Sequence, residues 1–261
     1  EEIAGGLDDT VAVLALTHVN FKTGAVHDMT RLTKQAHAVG ALTIWDLSHT
    51  AGAMPVDLTG AKADFALGCT YKYLNGGPGA PAFAYIPIAQ QPDFHQPLTG
   101  WMGHAKPFAF VDDYAPAPDI KRFLSGTPSV LSMISLDAAL DVWAGVDLNV
   151  LRNKSIVLGD LFIALVEARC AEHGFALASP RDGKARGSQV SFRHDQGYAI
   201  MQALIARGVI GDFRAPDIVR FGFTPLYTRY VDVWQAAEIL YDIMETRAWD
   251  TPAFRTRGAV T

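Results

Sequence analysis

Three short apolar runs, each stopping at a polar residue, constrain this chain more than any other feature. Val11 to Leu16 is almost unbroken, bounded by Asp8-Asp9-Thr10 before it and Thr17-His18 after it. Ala41 to Trp45 stops at Asp46, and Asp64 to Cys69 leads into Thr70-Tyr71-Lys72. All three read as strands, and Val11 to Leu16, the least interrupted, as one buried on both faces, as in a parallel sheet. Between the first two, Asp28 is placed to cap a helix from Met29 to Val39, with Leu32, Ala36 and Val39 on one face and Gly40 closing it. The result is a β-α-β unit, which predicts parallel strands and a right-handed crossover. Pro81 to Ile86 adds a fourth strand. Functional groups in open α/β sheets gather beyond the carboxyl ends of the strands. Thr17, Asp46 and Lys72 therefore bring a hydroxyl, a carboxylate and an amine to one rim.

From Gln90 to Pro128 the periodicity dissolves into a proline-rich stretch containing Gly100-Trp101-Met102-Gly103-His104, which reads as an ordered, irregular loop region. Helical spacing resumes at Ser129 and runs to about Trp143, and a long amphipathic helix follows from Leu148 to His173, ended by Gly174. Beyond it, Phe175–Ala178, Gln189–Phe192 and Ile218–Phe223 read as strands, and Tyr198–Arg207 and Tyr230–Trp249 as helices. The expected class is α/β: a parallel-sheet large domain over residues 1–145, then a small α+β domain over 146–261.

At 261 residues the chain is long enough for one large domain or two modest ones. A formal charge of -5 gives no reason to expect nucleic acid or an anionic membrane as partner. The longest apolar runs are too short for a membrane span. Cys69 and Cys170 both lie in apolar patterns, which argues against a disulfide framework and for a reducing, cytoplasmic setting. Glu1 to Asp9 reads as the end of a surface helix and its loop, without an initiator methionine, so the chain is expected to be the back portion of a longer protein.

Lys72 lies between Tyr71 and Tyr73, ahead of the turn Gly76-Gly77-Pro78-Gly79. Partial desolvation there would lower its pKa and make it a nucleophile, where a lysine on an ordinary surface loop would do nothing. Asp46 ends an apolar strand, so its charge needs a partner: a protonated pyridine nitrogen, or the N–H groups of the turn Ser48-His49-Thr50 that it could cap. The glycine turn could cradle phosphate, although a tight turn explains it equally well. Arg220 sits among apolar residues in mid-strand and needs a carboxylate, either Asp212 or Asp217 or that of a substrate. Trp101 could stack on a ligand or plug the core. His18 and His27 have no second ligand at metal-binding spacing, so zinc is not expected. These parts suit a pyridoxal-phosphate site taking an α-carboxylate substrate.

Several segments resemble kynureninase. They are Thr17-His18-Val19-Asn20 with Thr23-Gly24, Trp45 to Gly52, Tyr71 to Gly79, Gly100 to His104, Gly126-Thr127-Pro128, Gly208 to Arg214 and Arg220 to Tyr227. The resemblance covers nearly the whole chain. It implies fold type I of the pyridoxal-phosphate enzymes, a homodimer with shared active sites, and hydrolysis of L-kynurenine (or its 3-hydroxy form) to anthranilate and L-alanine in tryptophan catabolism. On matching positions it implies Lys72 as the Schiff-base lysine and proton carrier, and Asp46 at the pyridinium nitrogen. Thr17 and His49 would lie near the ring, Tyr71 at the phosphate and assisting proton transfer, and Trp101 and Thr127 at the phosphate of the neighbouring subunit. Arg220 would hold the substrate carboxylate, with His104 near its aromatic end. Family members carry roughly one more half-domain before the strand at Val11, including a main phosphate loop, so a separate N-terminal piece is an expected partner. The alternatives are a cysteine desulfurase-like enzyme, which needs a cysteine on a mobile loop, and a non-catalytic fragment.

Overall fold

The structure, a computed structural model, describes residues 2–258; the part of the sequence reading that falls on Glu1 lies outside them. Two compact units emerge. The first comprises residues 1–16, 28–48 and 56–144, and the second residues 17–27, 49–55 and 145–261.

The first unit opens with a one-turn helix, α1 (Glu2–Gly5), and carries β1 (Val13–Thr17), α2 (Met29–Ala38), β2 (Leu42–Asp46), β3 (Phe65–Cys69) and β4 (Ala82–Tyr85), with the strands in the order β1-β2-β3-β4. Helix α2 begins where the sequence places it, because the Asp28 side chain accepts a hydrogen bond from the Arg31 N–H. Strands β2 and β3 pair in parallel, with Asp46 opposite Leu67. The fourth strand departs from the expected parallel arrangement: β4 runs antiparallel to β3, Leu67 opposite Ala84. The cause is the connection. Parallel neighbours need a crossover of a dozen or more residues, usually helical. Residues 70–81 instead fold back through a tight loop with positive φ at Asn75, Gly77 and Gly79. Single helical turns at Ile88–Asp93, Trp101–Gly103 and Ile120–Phe123 order the proline-rich stretch, and α3 spans Val130–Asp141.

The expectation that Val11 to Leu16 is buried on both faces is corrected, and the neighbouring strands share its exposure. One face packs on α2 through Met29, Leu32, Trp45, Leu47 and Ala66, and the Trp45 indole N–H donates to Thr33 Oγ1 at 3.1 Å. On the other face Val13, Leu42 and Leu67 are 45%, 53% and 38% exposed, and Asp46 shares that face with Leu67 by register. Helix α3 buries none of its residues.

In the second unit α4 (Leu148–Arg169), β5 (Ala176–Leu177), β6 (Gln189–Arg193), α5 (Gly197–Ala206), β7 (Asp212–Arg214), β8 (Ile218–Gly222), α6 (Tyr230–Glu245) and α7 (Pro252–Arg255) build an antiparallel sheet in the order β5-β6-β8-β7. The expected long helix to His173 breaks at Cys170 into a single helical turn, and Gly174 closes it at φ +78°. The last expected helix likewise stops at Glu245, and β7 and α7 have no counterpart in the sequence reading. The core is continuous, with Leu158, Phe162, Val190, Phe192, Ile200, Leu204, Val219 and Leu240 among its buried members.

Candidate active site

Parallel pairing of β2 and β3 brings Asp46 and Lys72 to one end of the sheet. Asp46 is the last residue of β2, and Lys72 follows the last residue of β3, Cys69, by three positions. Asp46 is partly buried, and its Oδ1 accepts the Ser48 N–H at 2.8 Å, so the capping alternative is realised through one carboxylate oxygen. Lys72 is also partly buried, with Nζ 5.5 Å from the Tyr71 ring centroid, while Tyr71 itself is 48% exposed. The loop holding the lysine is tightly fixed. The Asn75 N–H donates to the Lys72 carbonyl at 2.9 Å and the Gly76 N–H to the Thr70 carbonyl at 3.0 Å. A Cβ on Gly76 would stand 2.8 Å from that of Ala80, so the chain closes there only without a side chain. A half-buried carboxylate and a half-buried amine at one sheet end fit a cofactor carrying a cationic ring nitrogen and an aldehyde.

Trp101 and Thr127 lie on two segments packed against each other. The Met102 N–H donates to the Ser125 carbonyl at 3.1 Å, and a Cβ on Gly100 would meet that carbonyl oxygen at 2.3 Å. Trp101 does not plug the core. It is 44% exposed, meets Phe108 edge-on at 5.6 Å, and lines a cavity of about 310 Å3 together with His104, Phe110 and Tyr114. Both ring nitrogens of His104 serve its own loop: Nδ1 accepts the Lys106 N–H at 2.8 Å and Nε2 lies 3.3 Å from the Asp113 carbonyl. Thr127 is exposed.

Thr17, His49 and Arg220 belong to the second unit. Thr17 and His49 are partly buried, the first at the end of β1 and the second in the turn after β2. Of the two candidate carboxylates, Asp212 is the one Arg220 pairs with: Nε donates to Oδ2 at 3.0 Å and Nη2 bonds the same oxygen. Arg220 Nη1 also donates to the Phe21 carbonyl. That carbonyl belongs to a loop, residues 20–24, that the sequence offers only as a connection. Gln189 Nε2 donates to the carbonyls of Asn20 and Phe21 at 3.2 and 2.9 Å, and Ser191 Oγ to that of Lys22 at 2.8 Å.

One residue of the same unit was weighed in the sequence only as a metal ligand. His18 is 7% exposed with Nδ1 3.0 Å from Thr50 Oγ1, and burial, then His27 and Arg152, push its pKa down to about 4. It is a neutral buried imidazole; the only signal in the sequence was a histidine directly after a strand end. Among the described residues, no group of three or more His, Cys, Asp or Glu side chains could hold a metal ion.

Solved structures with this architecture include the apo cysteine desulfurase of Thermococcus onnurineus, 21% identical with a TM-score of 0.75 over 90% of this chain and 60% of that one. A cystine C–S lyase in complex with its product cysteine persulfide gives 18% and 0.78 over 92% of this chain and 63% of that one. The chain therefore shares the fold of these cysteine desulfurase and C–S lyase structures. Residues 151–240 match the kynureninase C-terminal domain, and the whole chain aligns with curated kynureninases. It is 56% identical over 260 residues to the kynureninase of Burkholderia mallei and 52% identical over 261 to that of Pseudomonas fluorescens. All of this chain is covered, and it spans 62% and 63% of theirs.

Proposed function

We propose that this chain carries the lysine and the substrate-carboxylate clamp of a pyridoxal-phosphate-dependent kynureninase. The reaction is hydrolysis of the Cβ–Cγ bond of L-kynurenine to give anthranilate and L-alanine. The observation that carries the reading is Asp46 and Lys72 at the ends of paired parallel strands, in a sequence 56% identical to a kynureninase. When bound, the cofactor supplies an electron sink for charge developing on the substrate carbons. Asp46 would hold a proton on the ring nitrogen, Lys72 would bind the cofactor and move the Cα proton, and Tyr71 would assist at the phosphate. Thr17 and His49 would flank the ring, Trp101 and Thr127 would reach a phosphate, and His104 would lie toward the aryl end. Arg220 fixes the α-carboxylate, so that binding energy sets the geometry of the scissile bond.

The reading includes a homodimer with shared sites. Its support is apolar surface: Val13, Leu42 and Leu67 on the sheet, and Val130, Leu131 and Ile134 on α3, are all more than a third exposed. It also includes a cytoplasmic setting, supported by two free cysteines. The cysteine desulfurase alternative is weakened by the same residues. Burial pushes the Cys170 thiol up to about 11, and Cys69 ends a strand with Sγ 3.8 Å from the Ser48 carbonyl. A sulfur acceptor needs a thiolate that can move.

The test adds pyridoxal phosphate and L-kynurenine to the protein, its mass in solution first measured as twice that of the chain, and follows anthranilate fluorescence. Lys72→Ala is expected to lose roughly a thousandfold or more in rate. A protein that holds the cofactor yet releases no anthranilate ends the proposal.

A further inference from the structure

Arg220 does not stand alone on its strand. Its side chain is 11% exposed, and its guanidinium is gripped from two sides. From β7, Asp212 sits directly across the ladder from Arg220 and receives Nε and Nη2 on one oxygen. From the other side the Phe21 carbonyl receives Nη1. That carbonyl is itself fixed by Gln189, and its loop is stiffened by Asn20 Oδ1, which accepts the N–H groups of Lys22 and Thr23 at 2.9 and 3.0 Å. The second oxygen of Asp212 makes an ion pair with Arg214, whose Nε lies 3.1 Å away without hydrogen-bond geometry. The approach of β7 to β8 depends on Gly211, where a Cβ would meet the Arg220 carbonyl oxygen at 2.7 Å.

The charge count is informative. Two guanidinium groups share one carboxylate, so the cluster keeps a single positive charge, enough for one incoming carboxylate. An arginine held by a fixed carboxylate also loses little rotamer freedom when it forms a bidentate pair. We propose that Asp212 is a positioning residue for substrate recognition. It aims the Arg220 guanidinium at the substrate α-carboxylate and halves the cluster's charge, so that one carboxylate and no second anion is accepted. This rests on the proposed role of Arg220 as the carboxylate clamp.

Charge and positioning make opposite forecasts, and that separates them. Asp212→Asn raises the net charge of the cluster, so a purely electrostatic role would tighten carboxylate binding and lower KM. A positioning role loses the aim of the guanidinium and raises KM. The holoenzyme is assayed with L-kynurenine and with the same amino ketone lacking its α-carboxylate, for wild type, Asp212→Asn, Asp212→Glu and Arg220→Ala. The expected result is a KM for L-kynurenine raised roughly tenfold in Asp212→Asn, the loss anticipated for one charged hydrogen bond. Its kcat changes much less, Asp212→Glu recovers part of the loss, and kcat/KM for the carboxylate-free ketone stays at the wild-type value. An unchanged or lower KM, or an equal loss on both substrates, overturns the proposal. If Arg220→Ala discriminates between the substrates no worse than wild type, the clamp reading itself fails; if it loses discrimination while Asp212→Asn keeps it, only the positioning role fails.

Discussion

The two units solve the same problem differently. Each has a four-stranded sheet with one face covered by helices, and they part company over the second face. In the second unit β6 reads Gln189-Val190-Ser191-Phe192-Arg193, and its apolar members enter the core. Its polar members, Gln189 and Ser191, together with Arg220 of β8, hydrogen-bond the carbonyls of the loop 20–24. The polar face is thus closed by donors meeting acceptors, as buried polar groups require. In the first unit the second face is apolar: Val13, Leu42 and Leu67 stand on it, exposed. Hydrophobic patterning alone does not bury a surface; something must be laid on it. The second unit should therefore hold most of the chain's intrinsic stability, and four substitutions can break or sharpen that contrast.

The largest effect is expected at Phe162. It is fully buried and touches Phe192, Phe221 and Phe223 at ring-centroid distances of 6.2, 4.6 and 5.5 Å. Phe162→Ala removes an aromatic side chain from a close-packed site and should cost about 3–5 kcal/mol in denaturant unfolding. A loss below about 1 kcal/mol would mean that this core is not the stable one.

Acid should weaken the two units in different windows. The folded pKa of His18 is about 4, against an ordinary value of 6.5. Folding favours the neutral ring, so its contribution is complete above pH 6.5. As pH falls toward 4 the unfolded chain binds the extra proton, and on the order of 3 kcal/mol is lost. In the first unit, burial would raise the pKa of Asp64, but hydrogen bonds from His37 and Thr43 outweigh it and hold the carboxyl below its ordinary range. Its contribution is present above the unfolded value and disappears only as pH falls through the lower folded one. His18→Gln should flatten the stability slope between pH 6.5 and 4, read as the difference from wild type in urea midpoints. A slope equal to that of wild type would show that His18 titrates normally.

Much of this was legible in the sequence. The N-cap at Asp28, the strand ends at Asp46 and Cys69, and the left-handed Gly174 and Gly208 follow from local chemistry, because each depends on residues within one turn of itself. The choice of Asp212 over Asp217 for Arg220 was not legible, since it depends on the register of β7 against β8. Nor was the role of the loop 20–24, whose donors come from Gln189 and Ser191, some 170 positions away. The open sheet face misled the reading most. An unbroken apolar run records that a strand is suited to burial on both sides, and does not say whether the covering layer is part of the same compact unit.

The smallest expected effect tests that face directly. Leu67 is 38% exposed, and its register partner Asp46 stands beside it on the same surface, while Trp45 and Ala66 point into the α2 side. In the dissociated chain Leu67→Ser should change stability by no more than about 0.5 kcal/mol, as for most surface positions. Trp45→Ala, one position along the paired strand and on the covered face, should cost about 3–5 kcal/mol. Neighbouring positions on opposite faces thus forecast effects that differ several-fold, a ratio that chain-wide errors in extrapolated stability cannot imitate. Should Leu67→Ser cost more than about 1.5 kcal/mol, the face is covered in solution by apolar contacts, since nothing else about a leucine can contribute that much. Asp46 would then sit at the edge of a buried layer, and its carboxylate would bind a cationic ring nitrogen more strongly than one facing water, because a lower dielectric strengthens every charge pair within it.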